Sequence, residues 1–193
     1  MFALGEEHAL GDMLKHAAAY HALSMAYQEP TEEALERATQ AIESLNAQGV
    51  MLARPRYLAR RSEVFWRAGR STEGLAVVAE ALTLVERTGE RVVEAEIWRL
   101  KGELLLNGGA GHAQAEAERC YHQAIAIARQ QHAKTWELRA ATSLARLWQR
   151  QGKTVAAPHV LAETYGWFTE GFRTVDLKDA KALLDDLSAE GLS

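Results

Sequence analysis

A register of small and large residues recurs along the chain at intervals of 40 and then 43 residues. It marks the Ala-aliphatic pairs Ala41-Ile42, Ala81-Leu82 and Ala124-Ile125. The same shifts place Gly49 on Gly89, Leu58 on Trp98 and Ala141, Ser62 on Gly102 and Ala145, and Phe65 on Leu105 and Trp148. A second set, Gly74-Val78-Ala81, Ala117-Tyr121-Ala124 and Ala157-Leu161-Thr164, repeats small, large, small at spacings of four and three. Those spacings put all three residues on one helical face. Two helices approach closely only where one offers a small residue and the other fills the gap. Recurrence at fixed intervals therefore implies stacked helix hairpins, each burying its apolar face against the next.

The punctuation agrees. No stretch alternates apolar and polar residues long enough for a strand; "RVVEAEI" comes closest and runs straight into the helical spacing of "WRLKGELLL". Thr31 follows Pro30 as an N-cap, with Glu32 and Glu33 in the dipole-favoured first turn. Gly49, Gly69, Gly89 and Gly152 follow helical runs, where a left-handed residue ends a helix. Ser71 is placed to cap the next start, and Pro55 and Pro158 suit first turns. Helices are expected near 5–28, 31–48, 55–68, 71–88, 91–107, 113–131, 134–151, 155–168 and 175–189. The expected fold is all-α: a single domain over 1–193, a superhelix of antiparallel hairpins with units near 5–48, 55–88, 91–131 and 134–168, and a C-terminal cap over 169–193. In it Gly102 is a contact residue, where a leucine would force adjacent helices apart.

These residues resemble the tetratricopeptide (TPR) family: large, small, aromatic in the first helix of a unit, then small, aromatic, small in the second. The period exceeds the family's usual repeat, so the units are long. A closer resemblance lies in "EGLAVVAEALTLVERTGERVVEAEIWRLKGELLL", "ELRAATSLARLWQRQGK" and "YGWFTEGFRTVDLKDAKALLDDL". These are similar to the C-terminal helical region of bacterial STAND-type ATPase and nucleotide-cyclase-like signalling regulators, over roughly residues 54–190. The resemblance implies a helical solenoid with a regulatory, partner-binding role. The chain departs from those proteins in having no GxxxxGK[ST] sequence and no cyclase region, so neither activity carries over.

The stretch "ETYGWFTEGF", Glu163 to Phe172, concentrates aromatics directly after the last unit. Aromatic clusters line ligand pockets, and they also close the open end of a repeat array. The second reading is taken here. Tyr165 and Phe168 extend the apolar face of the eighth helix, and Gly166 admits a neighbour. Thr174 or Asp176 caps a last helix whose Leu177, Ala180, Leu183, Leu184 and Leu187 form the buried stripe.

No catalytic chemistry is visible. The seven histidines form neither HExxH nor a Cys/His zinc spacing, so no metal and no cofactor are assigned. The single cysteine, Cys120, lies mid-helix among expected core positions and reads as an inert small hydrophobe. "NGGAGH" lacks the Lys-Ser/Thr of a phosphate loop and reads as a turn. The net charge of −4 gives no general attraction to nucleic acid or to anionic membranes. The N-terminal stretch has early acids and no cationic segment before an apolar run, and one cysteine excludes an internal disulfide, so a cytoplasmic protein is expected.

By the TPR resemblance, the first helix of each pair lines a concave groove. Its slots then hold Arg56, Glu63, Trp66 and Arg67, next Glu96, Arg99, Glu103 and Asn107, and finally Arg139, Thr142, Arg146, Gln149 and Arg150. Guanidinium groups suit carboxylates and phosphates. The same residues also fit solvated helix faces, and Arg99 with Glu103 fits a bridge between hairpins. The function expected is a non-enzymatic protein-interaction scaffold in bacterial signalling or transcription, binding an acidic peptide or protein segment. The alternative is a small-molecule sensor holding an anionic metabolite. Self-association into a homo-oligomer is left open. Replacing Arg99, Arg139 and Arg146 together by Ala is expected to spare the fold.

Overall fold

The computed structural model describes residues 2–47, 53–109, 112–153 and 155–190. Among them lie nine α-helices and no strand: α1 (Phe2–Gln28), α2 (Glu32–Ala47), α3 (Arg54–Arg67), α4 (Ser71–Thr88), α5 (Glu94–Asn107), α6 (Ala113–Gln130), α7 (Lys134–Arg150), α8 (Ala156–Tyr165) and α9 (Val175–Glu190). No helix among the described residues is long and apolar enough to cross a membrane. The chain divides into two compact units between Glu90 and Arg91.

In the first unit, α1 packs on α2 and α3, and α3 packs on α2 and α4. Thr31 caps α2, its hydroxyl accepting from the Ala34 N–H. Proline stands in the first turn of α3. Gly69 and Gly89 close α3 and α4 with φ of 71° and 72°, angles that a side chain would strain. Gly49 lies outside the described residues. Ser71 does not cap α4. Arg70 holds the cap position, its carbonyl accepting from Gly74 N–H, while Ser71 begins the helix with its hydroxyl buried. Arg70 is fixed there by its side chain, which pairs with Glu73 one turn on and with Glu32 of α2.

In the second unit, α5 packs on α6 and α7, α7 also on α6, α8 and α9, and α8 on α9. The small positions and the triplets of the repeat register are buried, whereas Trp98, Leu105 and Trp148 in its large slots are half-buried. Gly74, Val78 and Ala81, then Ala117, Tyr121 and Ala124, then Ala157, Leu161 and Thr164 are all buried. So are the small residues Ser62, Gly102 and Ala145 of the partner helices. The Ser62 hydroxyl satisfies itself on the Leu58 carbonyl, so a polar group is tolerated at the seam.

The tightest point of this seam is Gly102 of α5 against Tyr121 of α6. A Cβ on Gly102 would lie 2.5 Å from the Tyr121 ring. The ring is fully buried, so it cannot swing into solvent to make room. Burial, and then the nearby Glu103 carboxylate, hold the Tyr121 phenol far above its ordinary range.

A buried carboxylate ties three helices of this unit. Glu137 of α7 accepts from Arg129 of α6 and from Lys134, each at 2.7 Å, and Arg129 also reaches Glu163 of α8 at 3.1 Å. Burial pushes the Glu137 carboxyl up, but the hydrogen bonds from Lys134 and Arg129 outweigh it, and it titrates below the usual range.

The stretch Glu163 to Phe172 divides between core and solvent. Tyr165 and Phe168 pack against the core formed by α6 to α9, in which Leu177, Ala180, Leu183 and Leu187 are buried and Leu184 half-buried. Trp167 and Phe172 are exposed by 58% and 47%, each resting on an inward aromatic, Phe168 and Tyr165 respectively. Two expectations are corrected. Phe168 does not continue α8, which ends at Tyr165; a tight turn, with Phe168 N–H on the Tyr165 carbonyl, carries it inward. Gly166 admits no neighbour: it is exposed, and a Cβ there would meet only backbone carbonyls of its own helix. Thr174 precedes α9, and its carbonyl accepts from Lys178 N–H.

Two outcomes are expected. Gly102→Ala lowers stability by about 1–3 kcal/mol through overpacking, although alanine in an open helix gains about 1 kcal/mol over glycine. A raised denaturation midpoint would refute the contact. Glu137→Gln costs about 1–3 kcal/mol at neutral pH, the scale of a charge-assisted hydrogen bond. Because the folded carboxyl titrates below its unfolded value of about 4.3, its contribution is complete above that pH and disappears as pH falls through the folded value. Melting curves should show the gap between wild type and Glu137→Gln closing in acid. A gap independent of pH would remove the ion-pair assignment.

Candidate functional site

The residues expected to line a groove lie on α3, α5 and α7, the leading helices of their hairpins. On α3, Arg56 and Arg67 are exposed and Trp66 is half-buried. The Arg67 guanidinium lies 4.3 Å from the centre of the Tyr27 ring on α1, a cation–π contact that restrains it. Glu63 is 3% exposed and accepts from Arg60. It belongs to the interior of the first unit, its charge met by the exposed Arg60 one turn earlier.

The α5 and α7 residues form a connected network. Arg99 is 4% exposed. Its Nε and Nη2 donate to the two carboxylate oxygens of Glu96, both at 2.8 Å, and Nη1 reaches Glu103 at 3.4 Å. Glu103 accepts from the Ser143 hydroxyl of α7 at 2.6 Å. Glu96 is shared with Arg139 of α7 at 3.0 Å, and Arg139 approaches Asp176, in the first turn of α9, at 3.6 Å. The chain of charges thus crosses α5, α7 and α9 and satisfies polar groups that burial would otherwise penalise. The Thr142 hydroxyl is buried on the Leu138 carbonyl.

Only the far end of this face is open. Arg146, about half-exposed, lies 3.4 Å from Asp179, and Arg150 is exposed with its Nε on the Arg146 carbonyl. The repulsion between these two arginines is relieved by Asp179 and by that carbonyl. Asn107 is exposed and Gln149 half-buried. Asp176, Asp179 and Ser143 were not among the expected site residues. The spacing of Asp176 and Asp179 along α9 is the signal that could have found the pairing with Arg139 and Arg146.

The expectation that Arg99, Arg139 and Arg146 are interchangeable exposed cations is corrected. Arg99 is interior and Arg139 mostly covered, because carboxylates stand one turn away and on the packed helices. Concavities between α2 and α4, beside Trp98 and Cys120, and between α1 and α2 are lined by none of the expected groove residues.

The remaining chemistry is quiet. Burial pushes the Cys120 thiol up, away from the reactive thiolate. His16 hydrogen-bonds the buried Tyr57 hydroxyl, and His122 packs on Trp148. Among the described residues no group of three His, Cys, Asp or Glu side chains could hold a metal ion. No protein-family model matches the sequence, and no curated protein matches it.

Single substitutions separate the two kinds of arginine. Arg99→Ala removes the bidentate partner of Glu96, which keeps only Arg139 among the described residues, and costs about 3 kcal/mol, the lower end of the scale for breaking a buried ion pair. Arg146→Ala changes stability by less than about 1 kcal/mol. Denaturant midpoints of equal size for the two variants would overturn this division.

Proposed function

We propose that the chain is a non-enzymatic scaffold of TPR-like hairpins whose exposed helix faces dock other proteins. The observation that carries this is the seam. The small, large, small triplets of α4, α6 and α8 are all buried, and within each unit a leading helix packs on the next leading helix. Repetition of that arrangement builds a solenoid, whose faces serve as docking surfaces. Side-chain chemistry serves internal order, while no base–nucleophile pair stands out among the described residues. The resemblance to bacterial signalling regulators suggests a regulatory setting.

On the second unit, an acidic peptide would be captured by Arg146 and Arg150, the exposed members of the arginine set. The rival, an anionic metabolite held in the groove, loses Arg99 as an anchor. Its two strongest donors are already taken by Glu96.

The test is a fluorescent glutamate-rich peptide titrated against wild type and Arg146→Ala/Arg150→Ala. Wild type should bind at low salt and weaken as salt rises through screening. The double variant should keep its helical spectrum and bind at least about fivefold more weakly, since one unit of log affinity is about 1.4 kcal/mol. Equal, salt-insensitive binding would reduce these arginines to a solvated face.

A further inference from the structure

Within the first unit, α2 and α4 each pack on α3 but not on one another. Between them runs a cleft of about 750 Å³ with α3 as its floor. Arg70 closes one end by bridging Glu32 of α2 and Glu73 of α4. Beyond it, Glu36 and Glu43 of α2 face Glu80 of α4 across the opening. Glu80 is paired with Arg54 at 2.7 Å, whereas Glu36 and Glu43 are exposed and make no ion pair among the described residues.

The floor decides what kind of occupant fits. Of the apolar side chains lining the cleft, Leu35, Phe65 and Val77 retain only 5%, 5% and 6% exposure, and the exposed Ala76 adds a single methyl group. That strip is too narrow for docking by apolar burial, which needs hundreds of Å². Charge is the recognisable feature. The lining carries five glutamates, Glu32, Glu36, Glu43, Glu73 and Glu80, against two arginines, Arg61 and Arg70. A negative concavity concentrates field lines and selects a cation.

Arg61 adds a second requirement. It sits half-buried on the floor, 5.5 Å from the Phe65 ring centre, and its Nε is buried without a hydrogen-bond partner among the described residues. Burial holds its guanidinium below the usual range, with Glu80 and Glu43 opposing. A guanidinium with donors to spare seeks carbonyl oxygens. An extended peptide supplies them along its backbone while its side chains reach the walls.

We propose that the α2–α4 cleft receives an extended lysine- or arginine-rich segment of a partner protein. Its basic side chains pair with Glu36 and Glu43, and its backbone carbonyls face Arg61. Seven residues separate the two glutamates, about 10 Å along the helix axis. In an extended chain that is the span of basic residues about three apart. This partner is opposite in charge to the one assigned to Arg146 and Arg150. The proposal rests on the scaffold reading but on none of the same residues.

The full chain is titrated with a fluorescein-labelled peptide about ten residues long, with lysine at every third position and alanine between. Fluorescence anisotropy is read at about 50 mM and about 500 mM salt. Wild type should bind at low salt and weaken at least about tenfold at high salt. Glu36→Gln/Glu43→Gln should weaken low-salt binding at least about fivefold. Glu170→Gln/Asp186→Asn removes two exposed carboxylates elsewhere and should change it by less than about twofold. Zero-length carbodiimide cross-linking, mapped by mass spectrometry, should attach the peptide to Glu36 or Glu43. Absence of binding, equal losses in both double variants, or cross-links only outside the cleft would overturn the proposal. The glutamate-rich peptide, titrated in parallel, tests the arginine face separately, so either result can fail alone.

Discussion

Close approach of helices at small residues is the constraint from which the rest follows. Gly102 leaves room for the Tyr121 ring, and that ring fills the space a side chain would occupy. Neither residue is independently replaceable. Interiors packed to crystal-like density give way only by moving backbone. Once α5 and α6 are held at this distance, the apolar faces around Leu100, Leu104 and Ala124 are removed from water together. The same small positions recur at Ser62 and Ala145 and are buried in their own settings.

Ion pairs then refine what apolar packing leaves loose. Hydrophobic burial is non-directional, so it does not fix rotation of α7 against α5 or of α9 against α7. The network through Glu103, Arg99, Glu96, Arg139 and Asp176 is directional and requires one arrangement of those helices. Glu137 does the same for α6 and α8 through Arg129. Such buried charges contribute modest net stability and a large penalty for mispairing. They favour a single register over neighbouring ones.

The distribution of charge has a functional corollary. Many arginines on the leading helices are internally engaged, while Glu36 and Glu43 of α2 stand along a cleft lined by α2, α3 and α4. An acidic chain with this arrangement presents open carboxylates on one surface and a short exposed arginine pair on another. Under the proposed scaffold reading, two surfaces of opposite sign would discriminate among partners by charge.

The sequence by itself determined the helices, their order and the small–large–small face that α4, α6 and α8 bury. Helical spacing, caps and boundary glycines are local signals, and α3, α4 and α7 begin or end within a residue of where those signals place them. It also determined that Gly102, Ala145 and Ser62 are interior, because only close packing explains small residues at a fixed interval. Tertiary structure decided the fate of the charges. Arginine on a leading helix reads the same whether it faces water or a carboxylate on a packed helix distant in sequence, as the pairing of Arg139 with Glu96 illustrates. Arg99 therefore looked like a recognition residue and is an interior one, while Glu36 and Glu43, which carry no distinguishing sequence signal, line a cleft. The division of "ETYGWFTEGF" was likewise undecided until α9 folded back. Aromatic composition states that burial is favourable, but only the packing of α7, α8 and α9 determined that Tyr165 and Phe168 are covered while Trp167 and Phe172 remain in water.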